Sequence, residues 1–159
     1  MRALLAAGIG VIALGSACSS GAPSTFAITR ASVDTTYWCP GGANDAPYDV
    51  HATITVHNGT GKTVTIESVN AVMTLASVHG NWLERIGEQY DAGSVTFAPA
   101  TIGPGSSATL KVTIPSTCTS GKYAGEGTSS GDYQVTMHLV TSAGPFSITA
   151  ANEHEILTA

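Results

Sequence analysis

Val50, Ala52, Ile54 and Val56 alternate with His51, Thr53, Thr55 and His57, and Ala108, Leu110, Val112 and Ile114 alternate with Thr109, Lys111 and Thr113. Side chains of an extended chain point to opposite faces in turn, so each run is a strand with one buried and one wet face. Tyr133, Val135, Met137 and Leu139 form a third run. After the turn Ser142-Ala143-Gly144-Pro145, Phe146, Ile148 and Ala150 continue it, which predicts a hairpin. Two runs change phase midway: Phe26 and Ile28 give way to Ala31 and Val33 around Arg30, and Val64 and Ile66 to Val69, Ala71, Met73 and Leu75 around Ser68. A β-bulge, or a strand that crosses between sheets, produces such a slip. With a short strand at 95–97, seven strands are expected.

Composition agrees with an all-β class. The chain has 159 residues, of which only 11% are charged, and it is rich in Ser and Thr rather than in the Glu and Lys of surface helices. That length suits one domain with a real core. The net charge is −5, and the six basic residues do not cluster, so the phosphate-neutralising stripe that nucleic-acid binding needs is missing.

Met1-Arg2 precedes an uncharged apolar run over 3–17, the length of a signal-peptide core and short of a membrane span. The run ends in Leu14-Gly15-Ser16-Ala17-Cys18, which resembles the lipobox of bacterial lipoproteins, with Gly15 where an aliphatic residue is usual. That resemblance implies a lipoprotein signal peptide over 1–17 and a lipidated Cys18 that anchors the chain to the extracytoplasmic face of the cell membrane. The alternative is an ordinary secretory peptide and a secreted protein. Residues 18–24, small and polar, read as a flexible tether, and the domain is expected to span 25–159. The chain has three cysteines, an odd number for an oxidising compartment. If Cys18 carries lipid, Cys39 and Cys118 remain as a pair, and closing a loop that long stabilises the fold by at most about 4.5 kcal/mol in the chain-entropy model.

The Pro-Gly turn and strand in Ile102-Gly103-Pro104-Gly105-Ser106-Ser107-Ala108-Thr109-Leu110-Lys111-Val112-Thr113-Ile114-Pro115, together with Gly131-Asp132-Tyr133-Gln134-Val135, resemble immunoglobulin-like and fibronectin-III-like domains of bacterial surface proteins. The resemblance implies a seven-stranded antiparallel Greek-key β-sandwich with Tyr133 as a tyrosine corner opening the sixth strand. Val135 stands where antibody-type domains carry a core cysteine, so that subtype is excluded. In this topology the loops that follow the first and fifth strands share one end, which suits a Cys39–Cys118 bond.

Chemistry-bearing motifs are few. His51 and His57 lie six residues apart, about 20 Å along a strand, too far to share an ion. His138 is expected to face about Thr149 across the hairpin, and all five histidines read as solvated strand residues. Asn44, Asp45 and Asp49 gather oxygen ligands in a turn-rich loop, a weak calcium candidate beside the plain-turn reading. No nucleophile elbow, His-Glu-x-x-His or phosphate loop occurs, and Glu153-His154-Glu155 lacks a nucleophile, so neither an enzyme nor a cofactor is expected. Asn58-Gly59-Thr60 reads as a turn rather than a glycosylation site.

The most distinctive stretch is 79–90. Asn81 and Glu84 resemble a capping pair, and Trp82, Ile86 and Tyr90 recur at helical spacing, predicting an amphipathic turn or two. Either it is a lid over the open edge, with Trp82 and Ile86 tucked beneath, or it presents Trp82, Arg85 and Tyr90 as a binding face. The glycine-rich loop 119–130, with Lys122, Tyr123 and Glu126, is a second candidate surface. The function expected is a non-catalytic, lipid-anchored envelope module that binds or assembles with an envelope protein or glycan. The alternative is an extracytoplasmic metal-ion or small-ligand binding protein.

Overall fold

The computed structural model describes residues 25–93, 95–120 and 129–158. The expected signal peptide, Cys18, the tether, and Lys122, Tyr123 and Glu126 lie outside them.

Every regular element among the described residues is a strand: β1 (Phe26–Val33), β2 (Thr36–Cys39), β3 (Ala46–Asn58), β4 (Val64–His79), β5 (Gln89–Asp91), β6 (Thr96–Ala98), β7 (Thr101–Ile102), β8 (Ser107–Cys118), β9 (Ser129–Thr141), β10 (Gly144–Thr149) and β11 (His154–Thr158). One sheet runs β1-β3-β8-β6; the other runs β2-β11-β9-β4-β5, with β10 also on β9. This is the immunoglobulin strand order, with β1, β3, β8 and β6 in one layer and β4, β9 and the β10/β11 edge in the other. The strands number eleven rather than seven. Sequence alternation missed β2, β5, β7 and β11, the first three because two to four residues carry too little pattern. The last was missed because the final strand breaks after β10: Ala151 leaves β9 and donates to the Ala31 carbonyl at 2.9 Å.

Between the sheets the alternating residues meet as foreseen. Val50, Ile54 and Val56 of β3, Leu110 and Ile114 of β8, Met73 and Leu75 of β4 and Val135, Met137 and Leu139 of β9 are all fully buried, each large one contributing about 1.5–3 kcal/mol. Both phase slips are bulges, with register shifts between Ile28 and Arg30 and between Ile66 and Ser68; β4 slips again between Leu75 and Ser77. Each extra residue returns the apolar set to the core face.

The first strand also changes sheets. β1 pairs antiparallel with β3, the chain turns at Asp34, and β2 pairs parallel with β11. Asn152 holds the crossing: its Oδ1 accepts from the Val33 amide at 3.1 Å and its Nδ2 donates to the Val33 carbonyl at 2.8 Å. His154 completes it from β11. Fully buried, it places Nδ1 2.9 Å from the Asp34 carbonyl and 3.2 Å from Oδ1 of that residue, with Nε2 3.3 Å from the Tyr48 hydroxyl. Both neighbours of Nδ1 are acceptors, so Nδ1 carries the proton and Nε2 accepts from Tyr48. His154 therefore departs from the expectation of solvated histidines, because its place in the β11 alternation points inward with Ile156 and Thr158. His138 sits opposite Ser147, not Thr149.

Cys39 and Cys118 are bonded, with Cα atoms 5.9 Å apart, and tie β2 of one sheet to β8 of the other. At the opposite end Asn58, fully buried, donates to the carbonyls of Lys62, Ile102 and Gly103 at 2.8–3.1 Å, while its Oδ1 accepts from Thr60. The Asn-Gly-Thr triplet is thus a turn whose asparagine is a buried hub. Asn58→Asp sets a carboxylate against three carbonyls; chemical denaturation should show a loss of about 3 kcal/mol, and a midpoint unchanged from the parent would refute that role.

Candidate functional site

After β4 the chain turns at Gly80 and crosses the disulfide end of the sandwich before returning as β5. The Asn81 amide donates to the Ser129 hydroxyl at 3.1 Å, and Leu75 exchanges backbone bonds with Glu88 and Gly87. The expected helical turn does not form. Gly80 and Gly87 take φ of +72° and +90°, values that break a helix, and the Glu88 carboxylate rather than Glu84 accepts from a loop amide, that of Arg85. The Glu84 carboxylate instead accepts from the Trp82 indole and the Tyr133 hydroxyl.

Trp82 goes where the missing side chain of Gly131 leaves room. A Cβ on Gly131 would fall 2.5 Å from the indole ring, so only glycine lets the indole lie against β9. The indole Nε1 donates to Glu84 Oε2 at 2.9 Å and to the Tyr133 hydroxyl at 3.2 Å, and the Tyr133 hydroxyl donates to the same Glu84 oxygen. Burial, with the Glu84 carboxylate beside it, pushes the Tyr133 phenol far above its ordinary value; burial does the same to Tyr48. Tyr133 is not a tyrosine corner of the usual kind, since its partner is a side chain of the β4–β5 loop and β9 begins four residues before it.

Beside this cluster is a cavity of about 90 Å³, lined among others by Asp45, Trp82, Leu83, Glu84, Cys118 and Tyr133. Asp45 reaches it from the loop before β3. Its backbone has φ of 51°, a left-handed conformation that Asp tolerates better than most residues. It is held there by its amide donating to the Thr119 hydroxyl at 3.0 Å. One wall is aromatic, and two acidic residues from separate loops, Asp45 and Glu84, line the cavity.

The sequence-derived candidates separate accordingly. Trp82 and Asp45, read as parts of two unrelated surfaces, line the same cavity. Arg85, Tyr90, Asn44 and Asp49 do not line it. Trp82 is half-buried while Ile86 is 63% exposed, so only one of the two residues expected beneath a lid is covered. Among the described residues no three His, Cys, Asp or Glu side chains gather as a metal-binding group. Sequence reasoning missed Glu84 and Tyr133 as partners, and it missed Trp38, 60% exposed on edge strand β2. The alternation of Tyr37, Trp38 and Cys39 held the signal for Trp38: a half-cystine facing in leaves the residue before it facing out.

No protein-family model matches the chain, and no curated protein matches it. Among solved structures, AggA, the major subunit of aggregative adherence fimbriae type I from Escherichia coli, aligns at 9% identity over 84% of this chain and 94% of its own, with a TM-score of 0.38. The ASH/PapD-like domain of human CEP192 aligns at 8% identity over 98% of this chain and 96% of its own, with a TM-score of 0.27. A GH20 exo-β-N-acetylglucosaminidase from Vibrio harveyi aligns at 12% identity over 86% of this chain but 19% of its own, with a TM-score of 0.25. Overlaps this loose assign no function to this chain.

Two outcomes follow from the geometry. Gly131→Ala should expel the indole, removing the bluer part of the tryptophan emission and costing roughly 1–3 kcal/mol; an unchanged spectrum would mean that Trp82 does not rest there. Unfolded tyrosines lose their proton near pH 10 while folded Tyr48 and Tyr133 keep theirs, so the unfolded state binds fewer protons above that pH. Stability is unaffected by this below pH 10 and then falls by about 1.4 kcal/mol per pH unit for each. Ultraviolet titration should show two of the five tyrosines ionising only on unfolding, one fewer in each Tyr→Phe variant.

Proposed function

We propose that this chain is a non-catalytic binding or assembly module of the cell envelope, held at the outer side of the membrane by lipid on Cys18, and that it meets its partner at the disulfide end. The cavity walled by Trp82 and Tyr133, with Asp45 and Glu84 beside it, carries this reading. Buried aromatic anchors beside fixed polar groups are the usual composition of interaction hot spots. Leu83, 55% exposed at the cavity, adds apolar surface to the same end. The lipobox-like run before Cys18 supports the anchor, and the Cys39–Cys118 bond suits an oxidising compartment.

The chemistry at this end favours recognition over transformation. The Glu84 carboxylate accepts two hydrogen bonds, one from Trp82 of its own loop and one from Tyr133 of β9, which holds it as a fixed feature rather than a mobile base. The cavity is also far smaller than the roughly 300–1,000 Å³ of small-molecule sites, which weighs against a small-ligand carrier.

Two measurements test the proposal in the protein's own host. Protein from the membrane fraction should have lost residues 1–17, gained a diacylglyceryl group and show no free thiol; an unlipidated soluble form would remove the anchor. A photoreactive residue in place of Leu83 should give a discrete crosslinked partner, while one in place of Ser142, at the far end of the sandwich, should not. Equal crosslinking from both positions would remove the disulfide end as the interface.

A further inference from the structure

We infer that the disulfide-end cavity receives one basic side chain, lysine or arginine, from the partner protein. This rests on the reading of that end as the binding surface and names what the surface recognises.

Size comes first. At about 90 Å³ the cavity is well below the roughly 300–1,000 Å³ of small-molecule sites, a size that suits one side chain better than a cofactor. The walls select its chemistry. Trp82 is the best of the aromatic faces for a cation, and Tyr133 stands next to it.

Charge completes the selection. Asp45 and Glu84 line the cavity, and among the described residues no lysine or arginine does. Each carboxylate keeps an oxygen for a ligand: both bonds to Glu84 fall on Oε2, and the Thr119 hydroxyl, 3.4 Å away, approaches Asp45 at Oδ1. Among the described residues, Glu84 Oε1 and Asp45 Oδ2 accept no hydrogen bond.

The carboxylates are also held in place before any partner arrives. Glu84 is fixed by the indole and the phenol; at Asp45 the Thr119 hydroxyl accepts from the backbone amide at 3.0 Å and donates to Oδ1 at 3.4 Å. Ordering them in advance removes part of the entropy cost that usually makes charged surface contacts weak. An aliphatic stem crossing Leu83 and Cys118 would bury its methylenes while the charged head reaches the carboxylates.

The chain has two tryptophans, so labelling the full chain with ¹⁵N-indole yields two signals, and Trp82→Phe assigns them. The probes are Nα-acetyl-lysine methylamide, its arginine counterpart and the uncharged norleucine analogue. A basic probe should shift the Trp82 indole saturably while Trp38 stays still and norleucine does nothing. Asp45→Asn and Glu84→Gln should each weaken that binding at least about fivefold, and the Asp45 variant leaves the Trp82–Tyr133 contact intact. Norleucine binding as well as lysine, or a response confined to Trp38, would overturn the inference. So would binding that emerges only in Lys122→Ala, since the chain's own lysine would then be the occupant. Crosslinking at Leu83 without any response to basic probes would overturn this inference and leave the interface standing; loss of that crosslink would remove the interface itself.

Discussion

Cys39 belongs to one sheet and Cys118 to the other, so their bond is a covalent tie across the sandwich at one end. Facing sheets ordinarily pack about 10 Å apart, whereas the bond holds these two Cα atoms at 5.9 Å. At that end the loop before β3 lies against Thr119 and Ser120, and the space left beside Cys118 is the cavity. Geometry at this end depends on that tie more than on any single apolar contact, because a core of interchangeable aliphatic residues tolerates small displacements that a two-point carboxylate site does not.

The other ordering elements are buried polar groups that have found partners. Asn152 substitutes for a strand at the Val33 backbone, His154 joins the β1–β2 corner to β3, and Asn58 gathers three carbonyls at the far end. Such groups weaken a fold when unpaired and single out one arrangement when paired. All three lie where the chain changes direction, and there the ladders of hydrogen bonds within the sheets run out. The apolar alternation makes a sandwich; these residues decide which one.

At the candidate site, Gly131 plays the corresponding part by what it lacks. It occupies an inward position of β9 that in Val135, Met137 and Leu139 is filled by a large side chain, and the vacancy is filled by Trp82 from another element. The indole then orders Glu84, and Tyr133 orders it from the other side. A loop that the helical spacing of Trp82, Ile86 and Tyr90 suggested would be amphipathic is instead organised by one side chain inserted into the sandwich and by backbone pairing at Leu75.

Seven of the eleven strands, both phase slips and the all-β class were legible in the chain alone, because the alternation of an extended backbone is a local property that survives without knowing what lies across it. The disulfide was legible for a different reason: with Cys18 assigned to lipid, two cysteines allow one pairing. The tertiary structure decided everything that depends on which distant residues meet. Residues 45, 84 and 133 come from three separate elements, and no periodicity within any of them signals their convergence. The same holds for His154, read as solvated, and for Asn58, read only as a turn residue, both of which the fold buries because polar partners from distant parts of the chain meet them.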